Sequence, residues 1–440
     1  MDAQANLNRM TPATIIVGID VAKEQHYAQI TDCRGIALMK PFKVNNNMDG
    51  FESLLAKVKD LGKKYSSDQV MIGMEPSGHY WRALGWHLNL HESKPVLVCV
   101  NPYHTKQAKE LNDNSQTKSD PKDALTIAHL IRNGNFYDPN LPKGEYAEVR
   151  QLNTERQRIV KQIVRTKNIL IALLDEFFPE YASVWGDVTC QTSLEFLKTY
   201  AFPSDIVSVS KSQLLEDIRT ATRGREANEL MEKLILAAKR SIGVKEGKTA
   251  VRVRILNLID DLQHFQRQEK ALNAKLKDVT EKVPYGKQFQ SIRGVGPVIA
   301  AGFIGEVGDI SRYVNWKQVR SLAGLNLVEN SSGKHKSRTK VSKRGRPYLR
   351  YILYTAGEKC SQWNPEMHDY YRYLTERNTN PLKRDQALVA VGLKVMRILF
   401  HMAKTGEKYD PSKALGAVRT QQIKSLGLAT NTSADGCSVA

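Results

Sequence analysis

The spacing of the apolar residues changes at Val149, and that change limits the folds open to this chain. Downstream of it, Val149, Leu152, Ile159, Ile163, Leu170, Leu173 and Phe177 recur three and four apart, with Arg156 and Thr166 as polar interruptions. A second series holds Val251, Ile255, Leu258, Leu262, Phe265, Leu272, Leu276 and Val279. Such spacing lays one apolar stripe along a long helix and does not fit the period of two of a strand. It predicts a coiled-coil arm over 145–285, interrupted at 180–247 by a helical insertion to which the sequence assigns no role. Two partners satisfy the stripes equally well: a second copy of the chain, or a bundle closed within one chain.

Upstream of the change the pattern is that of short strands and helices. Thr14-Ile-Ile-Val-Gly-Ile-Asp20 is a β-branched run suited to a buried strand. His26 to Ile30 and Ile36 to Val44 read as a hairpin turning at Asp32 and Gly35, followed by a helix near Met48 to Leu61. A strand from Gln69 to Met74, a helix holding Trp81 and Leu84, and a strand from Pro95 to Val100 come next. A helix from Asp120 to Ile131, with Ser119 as its N-cap, closes the region. Residues 14–140 therefore predict an α/β domain, a mixed sheet with helices packed on it.

Four carboxylates of this domain stand at element ends. Asp20 ends the first strand, Glu75 follows a later one, and Asp120 and Asp123 lie three apart at a helix start, on one helical face. If the two strands are neighbours, all four converge, and such a cluster repels itself unless divalent cations neutralise it; two Mg²⁺ ions are the usual solution in phosphoryl transfer. The plainer alternative is a set of caps and surface charges, and for Asp123 alone a favourable helix-start charge is the simpler explanation.

The last part, 286–410, is predicted to be mainly α-helical. Ile292-Arg-Gly-Val-Gly-Pro297 before an apolar helix is similar to a helix-hairpin-helix turn, and a plain connecting turn fits it as well. From Ser331 to Arg350 the chain carries eight Lys or Arg residues and no acid: Lys334, Lys336, Arg338, Lys340, Lys343, Arg344, Arg346 and Arg350. By itself this stretch is a phosphate-binding patch. Residues 421–440, rich in Thr, Ser, Asn and Gly, are expected to be a disordered tail.

Charge narrows the partner. The 440 residues include 65 Lys and Arg against 46 Asp and Glu, a net charge of +19, which favours a polyanion. No apolar run approaches the roughly 20 residues that a spanning helix needs. The start, MDAQANLNRMTPAT, has no secretory pattern. Nucleic acid is thus favoured over membrane. The five scattered cysteines show no zinc spacing and read as reduced thiols of a cytoplasmic protein.

Gly-Ile-Asp20-Val-Ala-Lys, Glu75-Pro-Ser-Gly-His-Tyr, Asn101-Pro and Lys118-Ser-Asp120-Pro-Lys-Asp123-Ala resemble, in order and spacing, the motifs of the DEDD transposases of the IS110 family, relatives of the Piv and MooV invertases. Ile292-Arg-Gly-Val-Gly-Pro, Leu322-Ala-Gly-Leu, and Ser332-Gly with Val341-Ser-Lys-Arg-Gly-Arg-Pro-Tyr-Leu-Arg350 resemble that family's C-terminal transposase domain. The resemblance spans about residues 14 to 410. It implies an N-terminal RuvC-like, RNase H-type domain in which Asp20, Glu75, Asp120 and Asp123 carry Mg²⁺, two ions per site. It also implies a catalytic serine placed at Ser332, next to Ser331, before Gly333. Dimers pairing into tetramers, donor and target DNA as substrates, a structured bridge RNA as guide, and a prokaryotic, nucleoid-associated location are implied in the same way.

Two other functions compete. A structure-selective nuclease of the junction-resolvase kind would use the four carboxylates and water, without a covalent serine. A nucleic-acid-binding protein without catalysis would need neither.

Overall fold

The computed structural model describes residues 3–91, 95–113, 120–222, 227–329, 331–332, 335–336 and 339–428. The chain divides into two compact units, Met1–Leu141 and Pro142–Ala440.

The first unit opens with helix α1 (Ala3–Leu7) and strand β1 (Thr14–Asp20), then β2 (Gln25–Thr31), β3 (Phe42–Asn45), α2 (Met48–Lys64) and β4 (Gln69–Met74). Helix α3 (Trp81–Leu90), β5 (Val96–Val100), α4 (Pro102–Asp113), α5 (Asp120–Arg132) and β6 (Phe136–Tyr137) complete it. The strands form one sheet in the order β3-β2-β1-β4-β5-β6. β1 is antiparallel to β2, parallel to β4, and β4 is parallel to β5. This is the mixed sheet that the alternation of strands and helices predicts.

Alternation along β1 explains why its run is almost wholly apolar. Ile15, Val17 and Ile19 face a core shared with Phe51, Leu54 and Val58 of α2 and Leu84 and Leu88 of α3. Ile16, with Met71 and Val98, faces a second core made by Ile127, Ala128 and Ile131 of α5. The sheet is therefore covered on both faces. The expected hairpin strand at Ile36 to Val44 is shorter than predicted. Asp32 makes the turn, Thr31 bridges Ala37, and regular pairing resumes only at Phe42. Pro41, without an N–H, interrupts the ladder.

The second unit begins with the long helix α6 (Gly144–Phe177). The insertion follows as α7 (Tyr181–Trp185), α8 (Gln191–Thr199), α9 (Pro203–Ser208), α10 (Lys211–Thr222) and α11 (Ala227–Lys239), and the second long helix is α12 (Lys248–Lys282). Arg156, early in α6, meets Glu269 and Asn273, late in α12. The Glu176 carbonyl, at the other end of α6, accepts from the Val244 N–H just before α12. The two helices therefore run antiparallel within one chain. Their stripes, including Ile159, Ile163, Leu170, Ile255 and Leu262, share a core with Leu194, Phe202, Ile206, Leu214 and Leu234 of the insertion. The bundle closed within one chain is the arrangement found, and the insertion, without a role in the sequence, roofs it. The polar interruption at Arg156 is answered in place, at 2.8 Å by Glu269 and 2.7 Å by Asn273. Such a group in an apolar seam fixes register.

The rest is α13 (Gly286–Phe289), α14 (Pro297–Val307), α15 (Trp316–Leu322), four two-residue strands, α16 (Pro347–Trp363), α17 (Pro365–Glu376), α18 (Arg384–Thr405), α19 (Pro411–Ala414) and α20 (Ala417–Ser425). Phe289, Phe303, Ile352, Leu353, Val391, Val395 and Leu399 centre its core. Against the expectation that no apolar stretch approaches the length of a spanning helix, α18 is by length and composition long and apolar enough to cross a membrane. Its apolar face packs against α16 in this core. Residues 421–425 of the expected tail belong to α20, and 429–440 lie outside the described residues.

Candidate active site

The end of β1 is where the carboxylates can meet, because a glycine lets α5 come down onto the sheet there. A Cβ added to Gly18 would sit 2.1 Å from the Ala124 carbonyl oxygen and 2.5 Å from the Ala128 nitrogen. Gly73, paired with Gly18 across the two strands, would likewise meet Ile131. Only residues without a side chain admit a helix this close. In a strand, residues two apart share a face, so Asp20 lies on the α5 side with Gly18. Ile19 pairs with Met74, so Asp20 and Glu75 are the next positions of two adjacent parallel strands. Both are half-buried.

Helix α5 supplies the other two acids. Ala124, Ile127, Ala128 and Ile131 form its buried stripe. Asp123, four residues before Ile127, extends that stripe beyond the last apolar contact and is only 6% exposed. Asp120 is the first residue of the helix, three positions earlier, and its side chain lies outside the described part, as does the expected cap Ser119. Pro121 fits the first turn, where its missing N–H costs nothing. Asn101, one residue after parallel strand β5, accepts from the Tyr103 N–H at 3.0 Å and so turns the chain into α4.

Strand register thus sets Asp20 and Glu75 at neighbouring positions, and the buried stripe of α5 includes Asp123. Contrary to the expected convergence, no three His, Cys, Asp or Glu among the described residues, Asp20, Glu75 and Asp123 included, are gathered closely enough to hold a metal ion. The chemistry of the set is that of hard oxygen donors, which suits a hard divalent cation such as Mg²⁺. Sequence reasoning missed the two glycines, although a glycine inside a β-branched run, two residues before an acid, was the available signal.

The serine lies in the second unit, on a hairpin rather than in the expected loop. β7 (Leu327–Val328) pairs antiparallel with β10 (Lys340–Val341), and β8 (Ser331–Ser332) pairs with β9 (His335–Lys336), Ser332 opposite His335. Gly333, Lys334 and Arg338 lie outside the described residues, as do the side chains of Ser331, Ser332 and Lys336. Leu327 is 72% exposed although apolar.

At the foot of the hairpin the basic run divides by role. Lys340, Lys343 and Arg344 are exposed. Arg346 instead donates to the Glu306 carbonyl oxygen and pairs with the Glu306 carboxylate at 3.6 Å. Arg350 donates to the Ala323 carbonyl at 2.9 Å. The Arg346 N–H donates to Leu322 and the Lys343 N–H to Gly324, so the Leu322-Ala-Gly-Leu motif anchors the hairpin. Arg346 and Arg350, expected to bind phosphate, are engaged by the chain itself. The turn at Ile292-Arg-Gly-Val-Gly-Pro297 is also explained by packing. Gly294 has φ +92, and a Cβ there would lie 2.8 Å from the backbone of Cys360 in α16. Gly296, by contrast, has open space about it.

Two family models match the chain. Residues 17–179 match the family model of the IS110 DEDD transposases, and residues 286–372 match the model described as "Transposase IS116/IS110/IS902 family". The chain is 25% identical to a 44.8 kDa protein of insertion element IS116 from Streptomyces clavuligerus, over 90% of this chain and 96% of that one. It is also 25% identical to a 43.6 kDa protein of insertion element IS110 from Streptomyces coelicolor, over 68% of this chain and 74% of the other.

Proposed function

The chain belongs to the IS110 family of DEDD transposases, and on that premise we propose that it moves its element by exchanging phosphodiesters through Ser332 at a magnesium site built by Asp20, Glu75, Asp120 and Asp123. A transposase cleaves and rejoins DNA; the serine, the metal and the guide are our reading. The observation that carries it is the register of β1 and β4, which sets Asp20 beside Glu75 on the side where α5 begins.

Strand exchange without an external energy source works best when the broken phosphodiester is kept as another ester. The Ser332 hydroxyl attacks the scissile phosphorus, the bond to the departing deoxyribose oxygen breaks, and that oxygen takes up a proton. The hydroxyl of the incoming strand then attacks the seryl phosphodiester, and the serine leaves with its proton restored. Two Mg²⁺ ions held by the four carboxylates would supply activation of the attacking oxygen and neutralisation of the departing one. Lys334, Lys336, Arg338, Lys340, Lys343 and Arg344 hold the scissile phosphate and offset charge building on it. A structured bridge RNA selects donor and target DNA by base pairing. Copies of the chain associate as dimers that pair into tetramers, and the carboxylates of one copy receive the serine of another. The heptad seam is filled within the chain, so association uses other surfaces.

Glu75→Gln tests the metal site. It keeps the shape and removes a charge, so strand cleavage is expected to fall at least a hundredfold while DNA binding is retained, on the scale of about 10² or more for removal of one electrostatic catalytic group. Wild-type cleavage that persists in excess EDTA would overturn the magnesium reading. Cleavage that continues in Glu75→Gln would remove Glu75 from the site.

A further inference from the structure

Far along the chain from both sites, three cations share one cleft of the second unit. Lys394 and Arg397 stand three apart on α18, on one helical face, and Arg419 stands in the first turn of α20; all three line one cleft of 320 Å³. Among the described residues none of the three forms an ion pair with an acid. Burial, and then the neighbouring Arg397 and Arg419, lower the Lys394 pKa.

The surroundings increase the positive potential. The cleft is floored by the start of α20, whose N-cap is Gly416 at φ +77, with no side-chain cap and no acid in the first turn. A helix start carries partial positive charge and favours an anion, yet here the sequence places an arginine. An adjoining cleft of 420 Å³ shares Lys394 and Arg397 and reaches Trp316. Its lining also holds two carboxylates, each beside a basic group of the same cleft, Glu407 at 3.4 Å from His401 and Asp410 at 3.6 Å from Lys413, while Lys404 and Lys408 add positive charge. Aromatic faces hold the guanidinium groups: Arg397 lies 4.8 Å from the Trp316 ring centre and Arg419 lies 4.3 Å from that of Tyr373. Cations set against rings keep their charge while losing little entropy on binding.

We propose that this pair of clefts is a second nucleic-acid track, in which Lys394, Arg397 and Arg419 bind successive phosphates of a phosphodiester backbone, with Arg397 held in place against Trp316. Two connected openings that share their cations suit a continuous polymer better than an isolated anion. The inference takes from the proposed function only that nucleic acid is the partner. Neither the carboxylates nor Ser332 enter it, so it can fail while they stand.

The test uses the full chain with Arg397→Gln and Arg419→Gln combined. Binding is measured by fluorescence anisotropy against a labelled duplex DNA and, separately, a labelled stem-loop RNA, across a salt series. For the nucleic acid that runs in the track, the slope of log K against log salt should shrink by about 2, one for each guanidinium removed. Affinity should fall roughly 30-fold at about 0.15 M salt, since each phosphate contact contributes a factor near the −0.9 power of the salt concentration. The arm that loses affinity identifies DNA or RNA as the occupant. The thermal midpoint of the free variant should stay level or rise, because mutual repulsion is relieved. Unchanged slopes in both arms overturn the proposal, and so does a lowered midpoint with unchanged slopes, which would make the cluster structural. If the double variant does not fold, Lys394→Gln alone carries the test, with an expected slope change of about 1.

Discussion

The carboxylate edge and the serine hairpin divide one proposed reaction, and they are built in opposite ways. Asp20 and Glu75 stand at the ends of strands whose residues are almost all buried, under a helix seated on paired glycines. Ser332 sits on paired strands of two residues each, with exposed Leu327 and Val328 beside them, and its firm contacts lie at its foot. Bound metal needs ligands held in fixed positions by their surroundings. A nucleophile that, as proposed, reaches another copy's metal needs projection instead. The difference teaches that damage to the scaffold will be felt at the first site as lost folding and at the second as lost positioning.

Gly18→Val should break the comparison most severely. Its side chain would enter the space of the Ala124 carbonyl and the Ala128 nitrogen, and overpacking of this severity costs about 3 kcal/mol or more. Calorimetry should show a lower melting transition for the first unit, with strand cleavage lost. A variant that melts and cleaves normally would mean that α5 does not need to sit so close. Arg346→Ala should give the intermediate effect. It strands the partly buried Glu306 carboxylate, at about 2 kcal/mol by the usual worth of a charge-assisted hydrogen bond. The melting temperature of the second unit should fall, whereas Lys340→Ala, at an exposed position, should leave it unmoved and weaken DNA binding. Equal effects from both substitutions would erase the division between anchoring and phosphate-binding residues.

Much of the scaffold was legible in the sequence. Strand β4 was bounded at Gln69 and Met74, and both heptad series became the helices they predict. Two kinds of information were not. Periodicity reports that a stripe must be covered but not by what, so the arm's stripe could not distinguish a second copy from the insertion that covers it in this chain. Charge counting reports basic residues but not their partners, so Arg346 and Arg350 read the same as Lys340 until their contacts with Glu306 and Ala323 were seen. The close seat of α5 on Gly18 is a third case, since a single glycine carries no signal of what approaches it.

The most direct measurement is covalent capture. Denaturing electrophoresis of the protein with labelled element-end DNA should show a protein–DNA adduct in wild type and none in Ser332→Ala, with DNA binding intact in both. Mixing Ser332→Ala with Asp20→Asn should restore part of the strand exchange that each lacks alone, as the proposed division of carboxylates and serine between copies requires. Full strand exchange by Ser332→Ala alone would contradict the serine mechanism, moving the role to Ser331 or the chemistry to water.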